Sequence, residues 1–383
     1  PSIGRLDTAS VVLMLVLETA SVWFLSLLAP VAWGAAEIVL FAAISLLAGA
    51  ELAPEDAVKL HIERGKLFDI TDRAEGAFAA YSEANRLQLE IGGVEVQRKA
   101  ASFRAILVQA LNWFETPGEW PALNENVGEG LIFLVGFPRS GTTLLDQVLD
   151  AHPRVAVMEE RPAVDRMLNE AEALGQKFPR DLASLDRVTA DRLVATYFAT
   201  VDAHVDRGGA QVVVDKMPLN IAHVLPLARL FPRAKYILAL RHPLDSILSN
   251  FMQQFRLNRA MSNFLQLETT AATYDLTFRL WLAAREKLRL QVHEVRYESL
   301  ITDMEQEARK VLNFLGVEWT DDVLDPAGHA RTRKAINTPS YEQVTQPIYQ
   351  RANGRWMRYQ TQLSPVRELI DPWVERLGYS TGD

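Results

Sequence analysis

The chain has 383 residues, of which 49% are hydrophobic and 23% are charged, which is enough for one large domain and an appendage. Its formal net charge of -8 argues against wholesale nucleic-acid binding, because no basic excess exists to displace counterions from a polyanion. The absence of cysteine excludes a disulfide framework, a thiolate zinc site and a cysteine nucleophile, and it favours a reducing, cytoplasmic setting.

The first fifty residues are far more apolar than the rest of the chain. After the first nine, their only charged side chains are Glu18 and Glu37. The uncharged stretch between these two is near the lower length limit for a membrane span, although Pro30 and Gly34 interrupt it. We therefore expect residues 1–50 to be helical, packed on the domain behind them or membrane-associated, with a spurious translated start as a third alternative.

A helical pattern with polar faces follows in residues 51–122, and it contains the small and aromatic residues of a tetratricopeptide hairpin. Small residues at these positions let two antiparallel helices approach closely. The matching residues are Gly65, Phe68, Ala77, Tyr81 and Ala84. We predict a tetratricopeptide-like module that could contact a protein partner. An ordinary helical hairpin is the alternative, because stable arrays need neighbouring repeats.

From about residue 125 the pattern changes to short apolar runs that are separated by long helical stretches. The runs cover residues 131–135, 155–158, 212–214, 236–240 and 292–297. Continuous apolar runs are typical of strands that are buried in a parallel sheet. We predict an α/β domain over residues 125–383, with a P-loop-like doubly wound parallel sheet and ligands at the carboxyl ends of its strands.

The loop after the first run, in the sequence GFPRSGTTLLDQVLDAHP, predicts a phosphate site. Glycines let backbone N–H groups converge on an anion, and a helix that starts near Thr142 points its positive end at the same place. Gly136 and Gly141 have the spacing of a Walker A loop, but Thr142 stands where that loop has its lysine, and Arg139 lies inside the loop. The alternative is a tight strand–helix turn without a ligand.

Charged side chains also follow the next strands of the predicted sheet. Glu159 and Glu160 come after the second run, and Lys216 comes after the third, where it could supply the cation that the loop lacks. Arg241 follows the fourth run, and Ser249 lies about two turns into the next helix. Arg241 and Ser249 predict a second phosphate site, so the expected ligand carries phosphates at two separate places.

Six motifs in register resemble those of a known family. PRSGTT with LDAHP, then EE, DKMP, LRHPLDSILS and VRYESL have the order and spacing of the sulfotransferases. From about residue 130 onward the chain resembles in particular the branch of tyrosylprotein sulfotransferases and their bacterial tetratricopeptide-bearing relatives. The resemblance implies the donor 3′-phosphoadenosine-5′-phosphosulfate (PAPS), the product adenosine 3′,5′-bisphosphate and no required metal. It also implies in-line transfer of a sulfuryl group to an acceptor hydroxyl of a protein, a saccharide or a small molecule.

The resemblance implies binding roles for the matching residues. Six residues of the first loop would hold the 5′-phosphosulfate: Arg139, Ser140, Gly141, Thr142, Thr143 and Leu144. Arg241 and Ser249 would hold the 3′-phosphate, and Tyr297 would lie near the adenine or its phosphate. Arg355 falls where the tyrosylprotein branch has a lysine that touches the cofactor, and this change keeps the charge but alters the hydrogen-bond geometry.

The resemblance also implies which residues act in the reaction: Glu160, Lys216, Arg139 and Ser340. Glu160 would be the base that takes the proton of the acceptor hydroxyl, with Glu159 as the alternative if the turn is shifted by one residue. Lys216 would stabilise negative charge on the bridging oxygen of the departing bisphosphate, and Ser340 would be the second leaving-group contact.

Other features bear on the acceptor and on rival functions. Pro162 stands where the tyrosylprotein branch has an arginine. This difference weakens the case for a protein tyrosine as acceptor, but not the case for PAPS as donor.

We expect His152 to cap or pack, whereas His242 could touch the 3′-phosphate. The segment MQQFRLNRAMSNFLQ is expected to be an ordinary amphipathic helix, with a lid or acceptor-binding helix as the alternative. The rival functions are a magnesium-dependent P-loop nucleotide kinase and a non-catalytic nucleotide-binding scaffold.

Overall fold

The computed structural model describes residues 53–115, 120, 123, 125–325 and 353–382, and the predictions for residues 1–50 and for Ser340 lie outside them. Throughout these residues, no helix is both long enough and apolar enough to cross a membrane. The chain divides into two compact units. The described parts of 1–103, 251–270 and 356–368 form the first unit, and those of 104–250, 271–355 and 369–383 form the second.

Two successive helices open the described chain, α1 (Pro54–Ile70) and α2 (Ala74–Trp113), and the backbone of Gly93 interrupts α2. A Cβ atom on Gly65 would lie 2.8 Å from the ring of Tyr81, so only glycine lets α1 pack this closely on α2. Ala77 and Ala84 are fully buried. The predicted close approach of two helices is therefore confirmed, while the tetratricopeptide character of the hairpin stays a prediction.

The prediction of an amphipathic helix in MQQFRLNRAMSNFLQ is wrong. Residues 252–260 are not helical, and only the short 3₁₀ helix Met261–Leu265 follows. The side-chain oxygen of Asn258 accepts hydrogen bonds from the backbone N–H groups of Ala260 and Met261, at 2.9 and 2.8 Å. Such a side chain competes with the helical backbone for the same donors, and this competition favours a turn over a continuous helix.

A five-stranded parallel sheet forms the second unit's centre, which confirms the predicted fold class. The strands are β1 (Leu131–Gly136), β2 (Val155–Glu159), β3 (Val212–Lys216), β4 (Lys235–Leu240) and β5 (Val292–Arg296), and their order is β2-β3-β1-β4-β5. All four strand pairs are parallel. Tyr297, predicted as the end of the last strand, instead begins a helix. The carboxyl ends of β1, β2, β3 and β4 all meet at one end of the sheet.

The remaining helices connect or follow these strands. They are α3 (Thr142–Asp150), α4 (Ala163–Ala173), α5 (Arg187–His204), α6 (Val224–Leu230), α7 (Pro243–Phe251), α8 (Leu267–Lys287), α9 (Tyr297–Thr302), α10 (Met304–Leu315) and α11 (Gln360–Arg376). Short 3₁₀ helices cover Arg180–Leu182, Pro218–His223, Asp321–Leu324 and Arg355–Tyr359.

Apolar packing fixes the sheet from both faces. On one face, side chains of α3 and α10 such as Val148 and Val311 join a single core with the strands. On the other face, the ring of Phe133 contacts the rings of Tyr197, Phe231 and Tyr236. Each fully buried side chain of this size contributes about 1.5–3 kcal/mol. The strand ends, and the polar residues that follow them, are therefore held on a rigid support.

Candidate functional site

The loop between β1 and α3 has the backbone of an anion-binding turn. Arg139 and Gly141 both have left-handed backbones, with φ of 68° and 90°. A Cβ atom on Gly141 would lie 2.5 Å from the ring of Tyr297, so glycine is required at this position on both counts. The nine-residue helix α3 begins directly after Gly141, and its first N–H groups point into the loop as donors for an anion.

Neighbouring side chains keep this loop in place. The side-chain amide of Asn250, in α7, donates to the backbone carbonyls of Pro138 and Ser246, both at 2.8 Å. The hydroxyl of Ser140 is buried and has no hydrogen-bond partner among the described residues. A buried hydroxyl without a partner costs free energy, so an anion in this loop would satisfy it. The observation supports the predicted phosphate loop, in which Thr142 and Thr143 are also buried and Leu144 is half-buried.

The two predicted phosphate sites are in contact with each other. Arg241, directly after β4, donates from Nη1 to the backbone carbonyl of Arg139 at 3.1 Å. The Nε of Arg139 in turn donates to the hydroxyl of Ser249 in α7 at 3.2 Å. The sequence assigned Arg139 to one site and Ser249 to the other. In this structure their side chains meet, and the two sites form one continuous surface.

Asp245, which sequence analysis did not identify, connects a third arginine, Arg355, to this surface. Its Oδ2 lies 3.7 Å from Nη2 of Arg241 and accepts a hydrogen bond from the backbone N–H of Gly354 at 2.9 Å. Arg355 is the next residue. Burial, followed by repulsion from Arg241 and then from Arg355, lowers the pKa of the Arg139 guanidinium to about 10. We call Arg139, Arg241 and Arg355 the arginine cluster. Their mutual repulsion favours a bound polyanion.

Tyr297, which the resemblance places near the adenine or its phosphate, lies beside the arginine cluster. The guanidinium of Arg241 is 5.1 Å from the centre of its ring, which is the distance of a cation–π contact. Burial raises the pKa of the phenol. The ring therefore lies next to both Gly141 and Arg241, where it can line a site for a planar group.

A second cluster lies at the ends of β2 and β3. Lys216 is fully buried, and three carboxylates surround its ammonium. Nζ lies 2.8 Å from Oε1 of Glu160, 3.3 Å from Oδ2 of Asp146 and 3.5 Å from Oε1 of Glu159. The pKa of Lys216 is raised: burial opposes the charge, but the attraction of Asp146, Glu160 and Glu159 more than offsets it. We call these four residues the lysine cluster.

The structure distinguishes the two adjacent glutamates. The side chain of Glu160 is 27% exposed and that of Glu159 is 8% exposed. Glu160 also has a left-handed backbone, with φ of 45°, and its N–H donates to the carbonyl of Lys216 at 2.9 Å. A non-glycine residue in this region carries strain that its surroundings must support. Glu160 is therefore the more accessible of the two carboxylates, and Glu159 stays as the less accessible alternative.

Asp146 is a member of the lysine cluster that sequence analysis missed. It lies in α3 within the sequence TTLLDQVLD, where the polar pair Asp146 and Gln147 interrupts a buried apolar stretch. A charged residue at a buried position needs a partner, and this rule is the signal that could have identified it.

The two histidines occupy different environments. The ring of His152 accepts a hydrogen bond at Nδ1 from the backbone N–H of Arg154, and its Nε2 lies 2.7 Å from the carbonyl of Glu318, which confirms a packing role. His242 donates its backbone N–H to Glu298 at 2.9 Å, and its Nε2 lies 3.0 Å from the carbonyl of Ser380. Within the described ranges, no group of three histidine, cysteine or acidic residues could hold a metal ion.

The chain is similar to known sulfotransferases. The model of the sulfotransferase family matches residues 132–321, a range that includes both the phosphate loop and the lysine cluster. Protein-tyrosine sulfotransferase 2 of Gallus gallus is 30% identical over 274 residues, which cover 65% of this chain and 69% of that protein. Protein-tyrosine sulfotransferase 1 of Danio rerio is 29% identical over 272 residues, which cover 65% and 72%.

Of two further matches, one covers only a small part of the relative and the other has a low sequence identity. An uncharacterised protein of Aquifex aeolicus is 28% identical over 296 residues, which cover 74% of this chain but only 36% of that protein, so the chain spans about a third of its length. Among solved structures, the sulfotransferase domain of the Synechococcus PCC 7002 olefin synthase matches 66% of this chain and 98% of its own. The two are 21% identical, with a TM-score of 0.44.

Proposed function

The chain belongs to the sulfotransferase family, whose enzymes transfer a sulfuryl group from PAPS, and we propose that the carboxyl end of this sheet carries out that transfer. One observation supports this location most directly: the ion pair between Lys216 and Glu160 lies in the same unit as the phosphate loop and the arginine cluster. Asp146, in the helix that begins at the phosphate loop, contacts Lys216, and Arg139 of the loop attracts Glu160, so a cation for a leaving group and a base for an acceptor lie next to a site for a polyanion.

The described residues fit the donor. The unsatisfied hydroxyl of Ser140 and the N–H groups at the start of α3 offer donors to the 5′-phosphosulfate. The arginine cluster and the hydroxyl of Ser249 offer charge and a hydrogen bond to the 3′-phosphate, and Tyr297 offers a ring for the adenine. When bound, PAPS supplies an activated sulfuryl group and a phosphate leaving group.

The lysine cluster supplies the proton acceptor and the cation that this transfer needs. The acceptor oxygen forms a bond to sulfur while the bond from sulfur to the bridging oxygen breaks, and the electron pair of the broken bond stays on the bridging oxygen. Glu160 takes the proton of the acceptor hydroxyl. Lys216 donates a hydrogen bond to the bridging oxygen and stabilises its developing charge. The bond between Lys216 and Glu160 must therefore loosen before the reaction, since each residue then has a different partner.

A phenol hydroxyl is the acceptor to test first. The vertebrate relatives are named for the sulfation of protein tyrosine, and Glu160 is partly exposed, so an approaching side chain could reach it. A neutral phenol holds its proton at pH 7, because its usual pKa is about 10, so a base is useful for its activation. Serine hydroxyls and simple phenols are the competing acceptors in the same assay.

Two isosteric substitutions test this function. We expect Glu160→Gln to lower kcat by about 10²–10⁴-fold, because the amide cannot take the acceptor proton. Glu159→Gln is the matched control, since it removes the neighbouring carboxylate and should retain most activity. The assay measures transfer of ³⁵S from labelled PAPS to a tyrosine peptide, a serine peptide and 2-naphthol, together with calorimetric binding of adenosine 3′,5′-bisphosphate.

The possible results separate the alternatives. Loss of transfer in Glu160→Gln with unchanged bisphosphate binding supports the proposed base. Equal activity of Glu160→Gln and the wild type would show that another group takes the proton. Wild-type protein that binds ATP with magnesium in preference to the bisphosphate, and transfers no label, would favour the kinase alternative.

A further inference from the structure

We propose that Asp146 is a positioning residue that keeps the Lys216 ammonium charged and correctly placed while Glu160 accepts the acceptor proton. This inference rests on the proposed function, because it assigns Lys216 to the leaving group. It starts from the 3.3 Å contact between Oδ2 of Asp146 and Nζ of Lys216, in which both side chains are fully buried.

The three carboxylates around Lys216 cannot all play the same role. Glu160 holds the ammonium most closely, but it is the least buried of the three and must turn to the acceptor hydroxyl. Once Glu160 is protonated, its negative charge is lost, and its attraction for Lys216 is lost as well. This loss occurs in the same step in which the bridging oxygen needs the lysine. The reaction therefore requires a second anion that stays in place.

Asp146 has the geometry of such a fixed anion. Its Oδ1 accepts a hydrogen bond from the side-chain amide of Gln147 at 2.9 Å, which orients the carboxylate and leaves Oδ2 toward Lys216. Gln147 is itself fully buried. Asp146 lies in α3, the helix that begins at the phosphate loop. The element that receives the donor thus also carries the anion that holds the lysine.

The electrostatic balance at Lys216 agrees with this role. Burial opposes the charge of Lys216, and its pKa is raised by the charge of Asp146 most strongly among the three carboxylate charges, while Glu160 adds a hydrogen bond to its own attraction. Two other charged groups lie nearby. Asp215 precedes Lys216 on β3 but accepts a hydrogen bond from the hydroxyl of Tyr197, and Arg139 attracts Glu160 from the loop. Without the attraction of Asp146, the effect of burial would lower the pKa of Lys216, and the ammonium would lose its proton at lower pH.

The test compares Asp146→Asn with Asp150→Asn. Asp150 ends the same helix and is half-buried, so its replacement controls for a lost carboxylate in α3. The acceptor is the substrate that wild-type protein sulfates fastest among a tyrosine peptide, a serine peptide and 2-naphthol. For each protein, kcat and the KM for PAPS are measured from pH 6 to pH 10, with the dissociation constant of adenosine 3′,5′-bisphosphate and the unfolding midpoint.

We expect Asp146→Asn to lower kcat at pH 8 by about tenfold or more and to bring the alkaline limb due to Lys216 into the measured range, whereas the wild type should show no such limb up to pH 10, because the pKa of its Lys216 is raised. The KM for PAPS and bisphosphate affinity should stay within about threefold of the wild type, because Asp146 does not contact the donor in the proposed arrangement. Asp150→Asn should show the wild-type pH profile. The pKa of the acceptor hydroxyl is the same in the assays of all three proteins, so it does not cause a difference between their pH profiles.

A purely structural role for Asp146 gives a different result: a lower unfolding midpoint, with kcat per folded molecule and its pH profile unchanged. That outcome would overturn the inference. If wild-type protein transfers label to none of the acceptors, the proposed function fails and the inference fails with it. If the wild type transfers label and the limb does not enter the measured range in Asp146→Asn, only the inference fails.

Discussion

Arg241 donates a hydrogen bond from Nη1 to the backbone carbonyl of Arg139 at 3.1 Å, and this contact joins two elements that are about a hundred residues apart in the sequence. The contact fixes the left-handed turn of Arg139, whose side chain then meets Ser249. The phosphate loop and the residues after β4 therefore form one anion-binding surface. A substitution in one half of this surface is expected to affect the other half.

Arg241→Ala should weaken binding of adenosine 3′,5′-bisphosphate about 10- to 150-fold, because it removes a charge-assisted contact worth about 1.5–3 kcal/mol. Arg241→Lys should recover only part of the affinity, since lysine keeps the charge but lacks the guanidinium fork. Titration calorimetry at two salt concentrations measures both effects. Equal affinity of the alanine variant and the wild type would remove Arg241 from the donor site.

Ser249→Ala is the matched, milder change in the same surface. It removes a neutral hydroxyl that Arg139 contacts at 3.2 Å, so the expected loss of bisphosphate affinity is about two- to tenfold. A larger loss than that of Arg241→Ala would contradict the assignment of the main charge contact to the arginine.

Lys216→Met should both abolish transfer and destabilise the fold. The substitution removes the ammonium from three nearby carboxylates, and breaking such a buried ion pair costs about 3–5 kcal/mol. The three negative charges are then left without their cation, and those of Asp146 and Glu159 are buried, so the loss of stability should shrink as acid neutralises them at lower pH. Denaturant unfolding from pH 4 to pH 8 measures this trend.

Lys235→Met provides the control for this experiment. Lys235 begins β4, at the opposite end of the sheet from Lys216, and donates to the backbone carbonyl of Phe314 at 2.7 Å. Its replacement should cost about 1 kcal/mol with little dependence on pH, and it should leave transfer intact. A stability loss in Lys216→Met that does not change with pH would mean that the three carboxylates do not sense the lysine.

Most of the parallel sheet could be predicted from the sequence, because each buried strand is a short continuous apolar run. The run 131–135 corresponds to β1, and the glycines and threonines after it correspond to the turn before α3. The prediction was wrong where a local side chain decides the backbone. The side chain of Asn258 competes with the helical backbone for N–H donors, and it favours a turn inside a segment whose periodicity is typical of a helix. The spacing of apolar residues alone does not reveal this competition.

The sequence analysis singled out residues that directly follow strands, and it missed residues that meet them from helices. Lys216 and Glu160 were predicted to lie at the same edge of the sheet because each follows a strand, and the pairing of β2 with β3, which the structure shows, brings them into contact. Asp146 was missed because its partner Lys216 is distant in sequence. Asp245 was missed although Arg241 is only four residues away, because the direction of a helical side chain depends on how the helix packs. No spacing rule encodes such packing.

Gly65→Ala should destabilise the helical hairpin of the first unit. The added Cβ would lie 2.8 Å from the ring of Tyr81, and overpacking of this kind costs about 1–3 kcal/mol. Gly76→Ala is the matched control, because its Cβ would lie 3.3 Å from the ring of Phe68 and the change also favours a helix. Unfolding midpoints measured by circular dichroism check both; equal midpoints for Gly65→Ala and Gly76→Ala would contradict the close approach.

Asp215 should make the protein less stable as the pH rises from about 4 to 7. Burial raises the pKa of this carboxyl to about 7, and although the hydroxyl of Tyr197 donates to Oδ2 at 2.9 Å, Oδ1 has no hydrogen-bond partner within the described residues. A carboxyl whose pKa is higher in the folded than in the unfolded state binds more protons when folded, so its contribution to stability is lost as the pH increases through this range.

Asp215→Asn keeps the shape of the side chain and removes its charge, so it should abolish this part of the pH dependence. The unfolding free energy of the variant should rise relative to the wild type between pH 4 and pH 8, by an amount on the order of 4 kcal/mol at most. Tyr197→Phe removes the hydroxyl that stabilises the ionised form, so it should move the transition to higher pH. Urea unfolding of the three proteins at intervals of one pH unit measures these shifts, and parallel stability curves for wild type and Asp215→Asn would show that Asp215 does not titrate in this range.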